Sequence, residues 1–343
     1  MSRHLNTLYI NTQGAYLSKE GECVCVRVDH NELVRLPIHA LDSIICFGNV
    51  TCSPWLMAHC AENNVGMSFL SQHGRFLASV QGRQSGNVLL RREQYRRADS
   101  DTGSSAAARS FVLGKLVNCR AVLRRAVRDR PDAPNAHHLS HAADLMTQFG
   151  RKVENATSLE DIRGLEGQAA NVYWNVFDHL ITADNKKMRF AGRNRRPPMD
   201  PVNCLLSFLY TLLAHDARSA LESVGLDPQV GFLHRDRSGR PSLALDLMEE
   251  FRPCFADRLV LSLINREQIK PRSFDFTESG AVLLKEEARK QVIRSWQERK
   301  KDTLTHPFTG KKMEVGLLWH VQARLLARFI RGDIDAYPPF VWR

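Results

Sequence analysis

The apolar residues of this 343-residue chain change their spacing near Gln81, and no other feature limits the fold so tightly. From Leu5 to about Val80 they alternate with polar residues, as in LYI and AYLSKEGECVCVRV, the period-2 signature of half-buried strands. Glu20-Gly21 and Gln72-His73-Gly74 supply hairpin turns. Further strands fall at Leu33 to Leu36, Ser43 to Phe47, Met67 to Leu70 and Phe76 to Val80, and Ser53-Pro54 opens one short helix to about Glu62. Beyond Gln81 the pattern becomes helical. Strands first and helices afterwards make an α+β chain. The expected division is a β-rich domain at 1–82, a helical linker at 83–105 marked by the polar run DSDTGSSAAA, and an α-helical domain at 106–343.

Lysine and arginine outnumber acids by 48 to 37, a net charge of +11, which points to a polyanionic partner. Arg83, Arg91, Arg92, Arg96 and Arg97 open the helical part, and a helix from about Ala106 to Arg130 adds Arg109, Lys115, Arg120, Arg124, Arg125 and Arg128. Phosphate contact and a solvated basic face both explain that run. The longest apolar stretch, Val202 to Ala214, is too short to span a bilayer, and MSRHLNTLYINTQG has no signal-peptide apolar core, so no membrane role and a cytoplasmic location are expected. Eight cysteines without a CxxC pair read as buried thiols of a reducing compartment, with Cys23 and Cys25 on one strand face and no zinc site. His4, His30, His39, His59 and His73 read as core or surface residues. His137, His138 and His141, at or just after the end of the loop PDAPNAHH, lack a matching carboxylate and are not taken as a metal site.

Chemistry concentrates in Gly231 to Pro253, GFLHRDRSGRPSLALDLMEEFRP. Ser242 is expected to cap a helix that begins at Leu243, and a period of 3.6 puts Asp246 and Glu249, or Asp246 and Glu250, on one face. A folded-back turn would bring the His234 imidazole over these acids. Imidazole with carboxylates suits a hard or borderline divalent cation, and an exposed acidic helix face is the alternative. A second half-site lies in SLEDIRGLEGQAANVYWNVFDHLI, where Ser158 and Asp161 form a capping box. Glu166 falls inside the apolar stripe of Ile162, Leu165, Ala169, Val172 and Tyr173. Such a carboxylate is costly unless a cation compensates it or it reaches water at the stripe edge. The flanking Gly164 and Gly167 suggest close approach of something bulky near Glu166.

Between the half-sites, NKKMRFAGRNRRPPMDP carries Lys186, Lys187, Arg189, Arg193, Arg195 and Arg196 with no acid until Asp200, a loop suited to holding a phosphodiester backbone. Asp200 caps a core helix in which Asn203 and Tyr210 read as structural hydrogen-bonding groups. A core helix FADRLVLSLINREQI, a hairpin SFDFTESGAVLL, helices at about Lys285 to Lys301 and Val315 to Arg331, and the tail DIDAYPPFVWR follow. That tail docks either on the protein itself or on a partner. Two functions fit the whole pattern: metal-dependent chemistry on DNA, or a non-catalytic nucleic-acid-binding scaffold whose acids only form ion pairs. A metal hydrolase of small substrates fits less well, because the basic surface exceeds what a small ligand needs.

Leu165-Glu166-Gly167, NRRPPMDPVNCLLSFLYTLL, GFLHRDRSGRPSLALDLMEEFRP and the closing Gln322, Arg324, Ala327, Gly332 and YPPF together resemble the CRISPR-associated spacer-acquisition integrases, the "Cas one" family of metal-dependent DNA endonucleases and integrases. The closing tail is similar to the type I-C branch. The resemblance implies that the N-terminal domain is β-sandwich-like and joins a homodimer, and that the α-helical domain binds DNA and carries catalysis. It implies Mg²⁺ or Mn²⁺ on Glu166, His234 and Glu249, which breaks the tie with Glu250, and it adds Asp246 to the catalytic set as a supporting acid. Arg252 would lie near the scissile phosphate, with Lys187, Arg193, Arg195, Arg196 and Arg235 along the DNA path. The implied partners are double-stranded DNA with 3′ ends, CRISPR repeat DNA and the small companion "Cas two" protein. The implied reaction is attack of a 3′-hydroxyl on a phosphodiester, with hydrolysis at the same site.

Overall fold

Each period-2 segment of the first unit forms a strand in the computed structural model, which describes residues 7–63, 65–74, 76–80 and 87–342. His4 and Arg83 lie outside the described residues. One sheet has the order β1 (Thr7–Ile10), β5 (Ser43–Phe47), β7 (Gly66–Leu70), β8 (Phe76–Val80), parallel except for the β7/β8 hairpin. The other has the order β4 (Asn31–Pro37), β3 (Cys23–Val28), β2 (Tyr16–Glu20), β6 (Thr51–Cys52), with the β2/β3 hairpin turning after Glu20 as expected. Leu17, Val24 and Val26 from this sheet share one core with Ile10, Ile44, Cys46 and Met67 from the other, and Leu56 and Cys60 of α1 (Pro54–Glu62) complete it. Ser53 caps α1 by accepting from Leu56 N. Cys23 and Cys25 alternate with the core-facing Val24 and Val26, so they share the opposite face, where Arg27 and Arg35 pair with Glu20 and Glu32. All eight thiols are free, six of them buried.

The chain divides between Gly86 and Asn87 rather than after residue 82. The segment expected to link the domains is part of the second unit: α2 (Val88–Ala98) and the first turn of α3 (Asp101–Asp129) both pack inside it. Small polar residues read as linker, yet here they permit close crossing. Ser100 caps α3, Ser104 Oγ donates to the Ala98 carbonyl at 3.0 Å, and a Cβ on Gly103 would lie 2.7 Å from the Arg97 carbonyl oxygen.

Helix α3 is the axis of this unit and packs against α2, α4 (Ala136–Glu154), α5 (Leu159–Asn175) and α7 (Ser242–Met248). Helix α4 begins within the stretch read from sequence as the loop PDAPNAHH, and Leu139, Ala142, Ala143, Met146 and Val153 form its buried stripe. Helix α6 (Pro201–Ser223) runs through the core with Asp200 as its cap. A π-helical turn, Arg252–Asp257, leads into α8 (Arg258–Asn265), which is shorter than the sequence suggests because Glu267 takes a left-handed φ of 51°. The expected hairpin β9 (Phe274–Phe276) and β10 (Val282–Leu284) precedes α9 (Glu286–Lys301). An unanticipated hairpin, β11 (Thr303–Thr305) and β12 (Lys312–Glu314), leads to α10 (Leu318–Arg331). The architecture is α+β, β-rich first and helical afterwards. Among the described residues no helix is long and apolar enough to cross a membrane.

Candidate active site

Three segments of the helical unit bring the candidate side chains together: α3, α5, and the stretch from Gly231 through Asp257. The turn before α7 is built on Asp246. This carboxylate is fully buried; Oδ2 accepts from Phe232 N (2.6 Å) and Leu233 N (2.9 Å), and Oδ1 accepts from His234 N (2.9 Å) and His234 Nδ1 (2.6 Å). The chain can wrap so closely because residue 231 is glycine: a Cβ there would sit 2.8 Å from Ser242 Cβ. Ser242 itself is the first residue of α7 rather than its cap, and its hydroxyl donates to the Arg235 carbonyl. Asp246 is thus an orienting group. An ionised carboxylate can only accept, so Nδ1 carries the imidazole proton and Nε2 presents its lone pair. Nε2 lies 3.9 Å from Glu249 Oε1. Arg163 of α5 donates from Nε to the Leu233 carbonyl, and Glu160 pairs with both Arg163 and Arg235, fastening this loop to the helix that carries Glu166.

Glu249 and Glu250 turn opposite ways. Glu249 is buried towards His234, while Glu250 accepts from Tyr337 Oη (2.5 Å), Gln322 Nε2 (2.9 Å) and the Phe340 amide. Geometry therefore separates the two acids that helical spacing left tied, and the closing tail docks on the protein itself. Asn118 completes that dock with bonds to the Glu250 and Phe340 carbonyls and from the Trp342 amide. Burial pushes the Glu250 carboxyl up to about 8 despite these donors. Burial acts the same way on Glu249, but the charges of Arg252 and Lys115 outweigh it and hold that carboxyl down at about 2.

Lys115 is the residue that the sequence reading underused. Neither phosphate contact nor a solvated basic face describes it: it lies largely buried on α3 between the two half-sites, in close contact with Glu166 Oε1 and 2.8 Å from Glu249 Oε2. The signal was available: Lys115 continues the stripe of Phe111, Cys119 and Val122, the same anomaly that singled out Glu166. Arg252 Nη1 holds Glu249 Oε1 at 2.6 Å, and its guanidinium lies over the Tyr210 ring. Glu166 keeps a quarter of its side chain exposed, and a Cβ on Gly164 or Gly167 would meet no described atom of the chain within 4 Å. Glu166, His234 and Glu249 are adjacent without sharing one coordination sphere. Among the described residues the one group of three with ligand atoms within 4.8 Å of one another is Glu20, Cys25 and Glu32, whose acids pair with Arg27 and Arg35. The donor set nevertheless fits a divalent metal: two carboxylates, an imidazole whose other nitrogen is fixed by an acid, and Glu249 Oε2 buried with no hydrogen bond beyond its ion pair.

The basic loop divides. Lys187, Arg195 and Arg196 are exposed and pair with no acid among the described residues. Arg193 instead turns inward, donating to Asn203 Oδ1 at 2.6 Å and lying over the Trp174 and Tyr210 rings, so its role is to hold the loop. Asn203 also bonds Asp200 and the Gly192 carbonyl, and Tyr210 donates to Asp257 at 2.6 Å, so both are structural as expected. The rings of His137, His138 and His179 gather at the start of α4.

This architecture recurs in solved proteins. A casposase bound to integration product aligns with TM-score 0.85 at 22% identity over 99% of this chain and 95% of that one. A Cas6-RT-Cas1–Cas2 complex contains a chain that aligns with TM-score 0.83 at 23% identity over all of this chain and 36% of that one. At such identities the likeness is one of fold. Sequence goes further: residues 8–298 match the family described as CRISPR associated protein Cas1, and the CRISPR-associated endonuclease Cas1 1 of Chlorobaculum tepidum is 58% identical over the full length of both chains. The chain belongs to the Cas1 family of CRISPR-associated endonucleases.

Proposed function

We propose that this protein is a divalent-metal-dependent DNA integrase and endonuclease that inserts captured DNA into a CRISPR array, with Glu166, His234 and Glu249 holding Mg²⁺ or Mn²⁺. The observation that carries the reading is the imidazole fixed through Nδ1 by Asp246, with Nε2 directed at Glu249 and Glu166 reached across one ammonium. The bound ion would polarise the target phosphoryl oxygen and stabilise charge on the leaving 3′-oxygen. Asp246 keeps His234 in the tautomer that can ligate. Arg252, whose Nε is buried without a hydrogen-bond partner, is placed to meet a phosphate oxygen beside Glu249. Exposed Lys187, Arg195 and Arg196, with Arg235, would hold the flanking backbone and keep the attacking 3′-hydroxyl in line. Water in place of the hydroxyl gives cleavage from the same residues.

The partners in this reading are double-stranded DNA with 3′ ends, CRISPR repeat DNA, a second copy joined through the β-rich unit, and a Cas2 protein. Fold likeness to a chain solved in a Cas1–Cas2 assembly supports the last of these. A cytoplasmic location and the type I-C subtype belong to the same proposal, the subtype resting on the closing tail. The test is strand joining and cleavage with Mg²⁺ or Mn²⁺: Glu166→Ala, His234→Ala and Glu249→Ala should each abolish both while leaving DNA binding, and full activity in any one would overturn the site. A scaffold role has one observation in its favour, the complete pairing of Glu166 and Glu249 by Lys115 and Arg252. It requires DNA binding indifferent to EDTA and no strand chemistry with any metal.

A further inference from the structure

Lys115 occupies an unusual position for a lysine on a basic helix. Its side chain is 12% exposed, and among the described residues its ammonium has no polar partner other than Glu166 and Glu249, one from each half-site. Among the described residues Glu166 in turn has no ion pair except Lys115. Arg252, the second cation, takes the other Glu249 oxygen and is further held by the Tyr210 ring. The two cations are therefore unequal. Arg252 is clamped by a second contact, whereas Lys115 sits at the end of four rotatable carbons and is held by the two carboxylates alone.

Resting on the metal reading given above, we propose that Lys115 is a resident cation that exchanges with the divalent ion and so couples metal loading to the arrival of DNA. A metal drawing on Glu166 and Glu249 competes for the same oxygens as the ammonium, and the two positive charges repel at contact distance. Lys115 must withdraw for the ion to settle, and its charge then needs a new anionic partner in a poorly solvated place. A phosphodiester oxygen beside the metal supplies it. Counting charges with the imidazole as a neutral ligand, the carboxylates of Glu166, Asp246 and Glu249 exceed Lys115 and Arg252 by one. A divalent ion alone would overcompensate by one, and one phosphodiester restores balance. Metal and DNA therefore each favour the other's binding, and the coupling is reciprocal. Lys115 is a positioning residue in this scheme and forms no bond to the reacting atoms.

The experiment is Mn²⁺ affinity of the full-length protein, read by calorimetry or by the free-ion electron paramagnetic resonance signal, with and without a short DNA duplex. Lys115→Met should bind Mn²⁺ about tenfold or more tightly than the unsubstituted protein in the absence of DNA, because its competitor is gone. DNA should tighten Mn²⁺ about tenfold on the unsubstituted protein and clearly less on Lys115→Met. Lys115→Arg should retain the coupling, and Lys115→Gln repeats the neutral test should the methionine variant fail to fold. Neutral variants that bind Mn²⁺ equally or more weakly without DNA would overturn the proposal. Failure of the underlying site reading looks different: Glu166→Ala and Glu249→Ala would then leave Mn²⁺ affinity unchanged whatever happens at Lys115.

Discussion

Asparagine at position 246 should undo the loop that carries His234. The Asp246 carboxylate accepts four hydrogen bonds, from the amides of Phe232, Leu233 and His234 and from His234 Nδ1, in a fully buried setting. Asparagine retains one acceptor oxygen. If that oxygen stays with Phe232 and Leu233, the new amide nitrogen meets the His234 N–H donor to donor. Bonds to a charged acceptor are worth about 1.5–3 kcal/mol each, so losing the one from the His234 amide outright costs about that much. That is a large part of the ~5–15 kcal/mol that stabilises a whole domain. The second effect is chemical. With an N–H facing it, Nδ1 becomes an acceptor and the imidazole proton moves to Nε2, towards Glu249, removing the lone pair that would bind a metal. Loss of such an orienting partner lowers metal affinity by about 10–100-fold. Urea denaturation followed by tryptophan fluorescence reads the first quantity and Mn²⁺ calorimetry the second. An Asp246→Asn variant within about 1 kcal/mol of the parent, and equal to it in Mn²⁺ affinity, would refute the assignment of Asp246 as the group that fixes loop and tautomer.

Burial lifts the Asp257 carboxyl from its ordinary 3.8 to about 6, against the pull of Tyr210 and Tyr173. Between these values the folded protein keeps a proton that the unfolded chain has released. The resulting stabilisation, about 3 kcal/mol, is present below pH ~4 and lost as pH rises through ~6; Asp257→Asn should flatten that part of the stability profile, and an unchanged slope would count against it. Gly231→Ala forces a Cβ to 2.8 Å from Ser242 Cβ and should cost about 1–3 kcal/mol in thermal or urea melts, with weaker Mn²⁺ binding because His234 moves with the loop. Arg195→Ala should reduce the slope of log DNA affinity against log salt by about 1 without touching stability. Arg193→Ala should do the reverse, lowering the melting temperature through the lost Asn203 contact with little change in salt slope.

What the sequence disclosed depended on how local each signal was. Period-2 alternation and the caps at Ser53, Ser158 and Asp200 are set by neighbours within a few residues, and these elements start where expected. The run DSDTGSSAAA misled because small polar residues look alike in a solvated linker and in a tight helix crossing; only the partner backbone at Arg97 distinguishes them. Glu166 stands out as a charge within an apolar stripe, whereas Lys115, equally in phase with apolar neighbours, is hidden by the arginines around it in the sequence. Asp246, Glu249 and Glu250 lie within five residues at the end of α7 and in the turn after it, and spacing could not say which acid faces which neighbour. That depends on the turn at 231–234 and on residues 337–340, about ninety positions further along, contacts that leave no mark in a local pattern.

The dock of the closing segment on Glu250 also orders events in time. During synthesis Glu250 leaves the ribosome well before Gln322, Tyr337 and Phe340, and until they arrive the carboxylate lacks three of its donors. Burial favours the neutral acid at Glu250 near pH 7, so what the late donors add is direction: they hold Glu250 on its own side of the chain and leave Glu249, one residue away, to face His234. A chain cut after α9 would carry Glu166, His234 and Glu249 but lack the segment that holds the neighbouring Glu250.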